Sequence, residues 1–156
     1  MKAAFLGRLE SDNGVELILA FFSNQKKWKI DVYGSGPLEK YLNRKYKNSK
    51  VINFLGEQSD VFKRNRYQLA CVSSYLSMLE AMIAKVPILS VAEFPLKLDY
   101  LSTHPCSTHI RIVKNMGDLL NLNLKSNIND VEYCYRWAKS QTWKKLYSEY
   151  KKLWGI

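Results

Sequence analysis

Short apolar runs alternate with amphipathic stretches along most of the chain. Six of these runs have strand length, and they predict buried strands over residues 2–6, 28–33, 51–55, 69–72, 87–91 and 108–113. Apolar residues three and four positions apart predict helices over residues 15–24, 38–46, 61–66, 76–84, 116–124, 130–139 and 142–154. The segment 92–107, which contains two prolines, is predicted to be irregular.

The alternation of strand and helix predicts an α/β fold. Strands separated by helices pair in parallel, and right-handed crossovers place helices on both faces of the sheet. We therefore expect a single doubly wound, Rossmann-like domain over residues 1–156. In such a sheet, ligands bind beyond the carboxyl ends of the strands. Glycines follow several of these predicted ends, notably Gly7, Gly34, Gly36 and Gly56.

The charge of the chain predicts an anionic partner. Twenty-four lysines and arginines against fourteen acidic residues give a formal net charge of +10. The basic residues are concentrated in two stretches, 26–50 and 136–152. Three widely spaced cysteines without a Cys-x-x-Cys pair predict neither a zinc site nor a disulfide framework, and favour a reduced, cytoplasmic protein. No apolar run is long enough to predict a membrane span.

Four segments, in chain order, carry a family resemblance. They are Phe5–Glu16 with its Gly-Arg pair, the Gly-Ser-Gly-Pro-Leu turn of Val32–Leu38, the Phe-Leu-Gly end of Val51–Gly56, and the Leu-Glu-Ala-Met helix of Leu79–Ile88. Together they resemble the nucleotide-binding domain of family 4 glycosyltransferases, which are GT-B enzymes. The closing stretch, with Thr142-Trp143 followed by Tyr147, Tyr150 and Leu153, is similar to the last helix of that family. The resemblance thus covers nearly the whole chain and implies the C-terminal half of a GT-B fold.

The resemblance also implies a donor site for a nucleoside diphosphate sugar. Arg8 suits the diphosphate because a guanidinium offers fixed, permanently charged donors. Glu80 would accept hydrogen bonds from the ribose hydroxyls, and the main chain at Gly56 and Glu57 would contact the base. Backbone N–H groups at Gly34, Gly36 and the start of the helix at residues 76–78 would add donors. The implied donor-binding set is Arg8, Asn13, Gly34, Gly36, Gly56, Glu57, Ser77, Met78, Leu79 and Glu80.

Three positions depart from the pattern of the family. Its phosphate-binding lysine falls on Asn13, its first glutamate falls on Val72, and its sugar-binding loop is shortened to Ser73–Ser77. A shortened serine-containing loop before a glutamate helix also resembles GT-B enzymes of the MurG type. Loss of one of two cations is expected to weaken diphosphate binding several-fold to a few hundred-fold.

The resemblance implies a retaining hexosyltransferase that transfers a sugar from a nucleoside diphosphate sugar to a glycan or lipid-linked acceptor of the cell envelope, without a metal ion or other cofactor. Arg8 is the residue expected to stabilise the leaving group. The acceptor-binding N-terminal domain is expected to be missing, because the chain is an excised half or because that domain is a separate chain. The isolated domain is therefore expected to be inactive.

The aromatic and basic residues after residue 132 allow two interpretations. They predict an interface with the acceptor domain, which we favour, or peripheral contact with an anionic membrane at its inner face. Two alternative functions remain open, a non-catalytic nucleotide-binding subunit and a basic Rossmann-like module that binds anionic lipid or nucleic acid. Nucleic acid is the weaker partner, because no strand carries interleaved aromatic residues of the RNA-binding type.

Overall fold

Six parallel strands form a sheet in the computed structural model, which describes residues 1–155. The strands are β1 (Lys2–Leu6), β2 (Lys29–Tyr33), β3 (Ile52–Gly56), β4 (Leu69–Cys71), β5 (Ile88–Val91) and β6 (Arg111–Val113). The helices are α1 (Val15–Ser23), α2 (Glu39–Lys45), α3 (Val61–Arg64), α4 (Tyr75–Ile83), α5 (Pro95–Ser102), α6 (Met116–Leu120), α7 (Ile128–Ser140) and α8 (Trp143–Trp154). Short 3₁₀ turns cover Ser11–Asn13 and Ser107–His109.

The strand order is β3-β2-β1-β4-β5-β6, and β1 pairs with both β2 and β4. This is the order of the dinucleotide-binding Rossmann fold, in which the winding direction reverses beside β1. The predicted α/β, doubly wound parallel sheet is therefore confirmed. The reversal opens a crevice at the carboxyl ends of β1 and β4, where the loops diverge to opposite faces.

Alternate residues of the strands feed two separate cores. In β1, Ala3 and Phe5 belong to a core covered by α1, α2 and α6, whereas Ala4 belongs to a core covered by α3, α4, α5 and α7. Phe22 and Met82 lie fully buried in these two cores. Burial on both faces explains why β1 and β4 are continuous apolar runs rather than alternating ones.

Three predicted segments differ from the structure by three residues or more. The segment 92–107, predicted to be irregular, contains α5, and Pro95 occupies its first turn, where a missing N–H has no cost. The last strand begins at Arg111 rather than Thr108, because the residues before it form a 3₁₀ turn. Helix α6 ends at Leu120, four residues before the predicted end.

Helix α8 lies outside both cores. Its first turn is capped by the Thr142 hydroxyl, which accepts a hydrogen bond from the Lys145 N–H at 3.2 Å. None of its residues is buried, and Trp143 is 86% exposed. Among the described residues, no helix combines the length and apolar character that crossing a bilayer requires.

Candidate functional site

A cavity of about 780 Å³ lies at the carboxyl ends of β1, β4 and β5. The loops that line it lead into α1, α4 and α5, so that three helices begin around one space. The first-turn N–H groups of a helix have no partner within the helix and carry the positive end of its dipole. The position of the cavity therefore favours an anion. A more open depression of about 980 Å³ lies elsewhere, along the edge strand β3.

The loop after β1 supplies the first cation. Arg8 is exposed at the mouth of the cavity, and its Nη2 lies 3.0 Å from Glu10 Oε2. The loop then forms the 3₁₀ turn and ends at Gly14, whose φ of 65° is in the left-handed region. A Cβ at Gly14 would lie 2.4 Å from the Cβ of Val91, at the end of β5. Only glycine therefore lets α1 begin this close to β5.

Asn13 connects two loops and helix α5 at the floor of the cavity. Its side-chain N–H donates to the Arg8 carbonyl at 3.3 Å. Its Oδ1 accepts hydrogen bonds from the Ser73 hydroxyl at 3.1 Å and from the Lys97 ammonium at 3.3 Å. Ser73 follows β4 and Lys97 lies in α5, so that a single amide connects the ends of β1, β4 and β5. Burial lowers the pKa of Lys97, while Asp12 and Glu10 act in the opposite direction.

Gly34 and Gly36 hold the loop after β2 against the loop after β1. Their φ values are 121° and 156°, and a Cβ at Gly34 would lie 2.0 Å from the Gly7 carbonyl oxygen. Leu9 N–H donates to the Ser35 carbonyl at 2.8 Å, and Gly34 N–H donates to the Gly56 carbonyl at 2.9 Å. The Gly34 N–H is thus used between strands and is not free for a ligand, contrary to the expectation for that donor.

A second, smaller cavity of about 170 Å³ adjoins the first one. It shares Gly7 and Arg8 with the larger cavity and is completed by Glu57, Ser35 and Gly34. The Ser35 hydroxyl donates to the Glu57 carboxylate across it. Glu57 thus lies next to Arg8, while the neighbouring Gly56, with a φ of 68°, is exposed and has open space around its Cα.

Four residues of α4 belong to the predicted donor-binding set, and three of them, Ser77, Met78 and Leu79, make contacts within the protein. The Ser77 hydroxyl donates to the Ser74 carbonyl at 3.0 Å and closes the first turn of the helix. Met78 is fully buried, and its N–H donates to the Ser74 carbonyl at 2.9 Å. Leu79 packs against the core that α3, α4, α5 and α7 cover. Neither the Met78 side chain nor its N–H is therefore available, and the N–H groups of residues 75–77 are the ones that the helix leaves open.

Glu80 is exposed on α4 beside the start of α3. Partial burial raises the pKa of Glu80, and the Asp60 carboxylate adds to this rise, while Lys63 opposes it. The described residues that line the two cavities do not include Glu80. Its binding to ribose stays a prediction.

Lys97 is the residue that sequence reasoning missed. It lies 84 positions from its partner Asn13, in a segment predicted to have no regular structure. The signal for α5 was present, since Pro95 suits a helix start and leucines follow at helical spacing, at positions 98 and 101. The orientation of Lys97 towards the β1 loop follows only from the position of β5 in the sheet.

Sequence comparison finds related glycosyltransferases. No protein-family model matches the chain. The O-antigen biosynthesis glycosyltransferase WbnH of Escherichia coli is 28% identical over 93 residues, a match that covers 56% of this chain and 28% of WbnH. The chain therefore spans well under half of the length of that relative.

Structural comparison finds the same fold in solved glycosyltransferases. TarM superposes on 99% of this chain and 35% of its own with a TM-score of 0.72 and 15% identity. The C-terminal domain of LpcC, a group 1 family glycosyl transferase from Francisella tularensis, gives 0.64 with 16% identity over 90% of this chain and 85% of that domain. HepE of Anabaena, solved with UDP and glucose, gives 0.67 with 12% identity over 90% of this chain and 44% of its own.

The class that these observations define is a single-sheet α/β domain with a cavity at the carboxyl ends of the strands, where the winding reverses. More particularly, the chain has the fold of the C-terminal domain of GT-B glycosyltransferases.

Proposed function

We propose that the chain is the donor-binding domain of a retaining glycosyltransferase, which transfers a sugar from a nucleoside diphosphate sugar to a glycan or lipid-linked acceptor. The observation that carries this proposal is the cavity at the carboxyl ends of β1, β4 and β5, which Arg8 and Lys97 line and around which three helices begin. The similarity to HepE, which was solved with UDP and glucose, supports a nucleotide sugar as the ligand.

In this proposal, the domain stabilises the leaving group. Transfer breaks the bond between the anomeric carbon and the diphosphate oxygen, and the bonding electron pair moves to the diphosphate. The acceptor hydroxyl oxygen forms the new bond to the anomeric carbon, and its proton passes to the departing diphosphate. Arg8 and the first-turn N–H groups at the cavity interact more strongly with the diphosphate oxygen as its negative charge grows, and this difference lowers the barrier. The ribose would lie towards Glu80 and the base towards Gly56 and Glu57. Arg8 and Lys97 supply cationic donors at the cavity, so the proposal requires no metal ion.

The surface around the cavity supports a second domain that covers it. Leu76 and Leu96, at the starts of α4 and α5, are 70% and 82% exposed. Phe94 and Tyr75 lie half exposed beside them. Large apolar side chains grouped at the mouth of a polar cavity are typical of an interface. We therefore propose that the acceptor-binding domain, on this chain or on another one, closes over this rim.

Helix α8 favours a second candidate function, contact with an anionic membrane. Its apolar residues at positions 143, 146, 147, 150, 153 and 154 form one face, and four lysines flank that face. An exposed helix of this composition suits an interface with anionic lipid. The same face would equally serve the acceptor domain, and we favour that role because the rim of the cavity is apolar too.

Titration calorimetry of the purified chain with UDP, GDP, ADP and their sugar conjugates tests the proposal. We expect saturable binding of one nucleotide in preference to the others, at moderate and at high salt. EDTA should leave this binding unchanged. The variant Arg8→Ala should weaken it, and Arg64→Ala, which removes an arginine at the end of α3, serves as the matched control.

The alternative functions give different results in the same titration. If the chain binds heparin or anionic vesicles but no nucleotide, the donor site does not exist and the basic surface is the functional one. If it binds a nucleotide but transfers no sugar even when supplied with an acceptor-binding domain, it is a non-catalytic nucleotide-binding subunit.

A further inference from the structure

A lysine without a carboxylate partner reaches the floor of the cavity. Lys97 Nζ donates to the neutral Asn13 Oδ1 at 3.3 Å, and in the part of the chain that the structure describes no salt bridge to Lys97 is found. Other lysines at the surface, such as Lys85 and Lys63, pair with carboxylates at 2.8 and 2.6 Å. Lys97 therefore holds a positive charge that the protein itself does not neutralise by direct contact.

The position of this charge is fixed by the structure around it. The stem of Lys97 is half-buried, and its ammonium lies 5.6 Å from the centre of the Tyr100 ring. The acceptor atom Asn13 Oδ1 is itself held by the Ser73 hydroxyl at 3.1 Å. An ammonium that is already partly desolvated and oriented loses less hydration and less side-chain freedom when an anion binds.

Arg8 lines the same cavity from the opposite loop. It follows β1, whereas Lys97 follows β5, and these strands lie on either side of β4. The two cations are thus presented to one space from two sides, and Ser73 and Ser74, which lead into α4, line the same space. Two cations around a cavity of about 780 Å³ match a ligand with two adjacent negative groups.

We propose that Lys97 is the second phosphate-binding cation of this site and binds the diphosphate of the donor together with Arg8. This proposal rests on the function proposed above and assigns a residue to it. When the ligand binds, the ammonium keeps one hydrogen bond to Asn13 and directs its other two N–H groups to a phosphate oxygen. A lysine has three donors, so both contacts can be made at once.

The test compares Lys97→Met with the wild-type chain in calorimetric titrations. Methionine keeps most of the apolar stem against Tyr100, and it removes the charge together with the hydrogen bond to Asn13. The probes are the diphosphate and the free nucleoside of the preferred base, and inorganic pyrophosphate. Loss of a charged hydrogen bond predicts an affinity for the diphosphate and for pyrophosphate that is roughly tenfold to a hundredfold lower. Affinity for the free nucleoside should stay the same, and Lys97→Arg should restore most of the lost affinity.

Two controls separate this role from a structural one. If Lys97 only braces α5 against Asn13, Lys97→Met will weaken nucleoside and diphosphate by the same factor and lower the melting temperature. An exposed lysine after β6, changed in Lys114→Met, should leave every affinity unchanged.

The outcomes distinguish the two proposals. If the wild-type chain binds a nucleoside diphosphate and Arg8→Ala weakens it while Lys97→Met does not, the role of Lys97 is refuted and the donor site stands. Pyrophosphate binding that depends on Lys97, with no nucleotide bound more tightly than pyrophosphate, would support the anion site and refute the donor function. If neither pyrophosphate nor any nucleotide binds, both proposals are refuted.

Discussion

Replacing Gly14 by alanine should strongly destabilise the fold. Gly14 has a φ of 65°, and an added Cβ would lie 2.4 Å from the Cβ of Val91. The left-handed conformation costs a residue other than glycine about 1–2 kcal/mol. The overlap with β5 adds about 1–3 kcal/mol, because α1 or β5 must shift. The expected loss in the free energy of unfolding is therefore about 2–5 kcal/mol.

Gly56 provides the matched control, because its φ is 68° and a Cβ there would have nothing within 4 Å. Gly56→Ala carries the backbone cost alone, about 1–2 kcal/mol. Urea denaturation followed by circular dichroism measures both variants, and the dependence on denaturant should be unchanged if both unfold from the same structure. In melting temperature, each kcal/mol corresponds to about 2–4 °C for a chain of this size.

A double-mutant cycle isolates the overlap with Val91. Val91→Gly removes all three atoms that the new methyl group would meet. In that background, Gly14→Ala should cost about 1–3 kcal/mol less than it costs in the wild-type chain. If Gly14→Ala costs no more than Gly56→Ala, or if the cycle is additive within about 0.5 kcal/mol, the close approach of α1 to β5 does not determine stability and the reasoning is refuted.

Three further predictions concern other parts of the molecule. Burial would raise the pKa of Asp31, but hydrogen bonds from Lys2, Asn53 and Tyr67 outweigh it and lower the pKa below 3.8, so stability should fall as the pH drops through the lowered value. In Asp31→Asn this acid-dependent loss should be smaller when urea denaturation is compared at pH 6 and pH 3. Glu10→Gln should strengthen diphosphate binding several-fold in calorimetry, because it releases Arg8 and removes a negative charge from the cavity; weaker binding would contradict this. Trp143→Ser should change the free energy of unfolding by less than about 0.5 kcal/mol in urea denaturation, since the side chain is exposed, and a larger loss would mean that α8 packs on the domain.

The sheet could be predicted from the sequence because its strands are short apolar runs between helices. Burial on both faces leaves no polar residues in a strand such as Leu69–Cys71, so its apolar character is unambiguous. No local pattern predicts the strand order, because β1 pairs with a strand that is distant in sequence. Ala3 of β1 pairs with Leu69 of β4, 66 positions further along the chain. That pairing depends on which crossovers leave room for all the helices, and only the assembled fold determines it.

Only the part of the candidate site that lies in one loop could be predicted from the sequence. Arg8 and Asn13 are close in sequence and could be assigned to one loop, at the end of a strand where ligands of this fold bind. The prediction that the neutral Asn13 weakens the site considered that loop alone. The structure places the Lys97 ammonium 3.3 Å from the Asn13 amide. A cation can therefore reach the floor of the cavity from the end of β5 and not only from the β1 loop, because both strands end at the same edge of the sheet.

The basic surface and the cavity are at different ends of the sheet, which separates two kinds of anion binding. The lysines at positions 26, 27 and 29 precede or begin β2, whereas the cavity lies beyond the opposite ends of the strands. Four residues of parallel strand span about 13 Å, and the Debye length at physiological salt is about 8 Å. Within the cavity, Arg8 and Lys97 are balanced by Glu10 and Asp12. Nucleotide affinity should therefore depend on oriented hydrogen-bond donors and change little with salt concentration. The affinity for polyanions at the amino ends of the strands should instead fall steeply as the salt concentration rises.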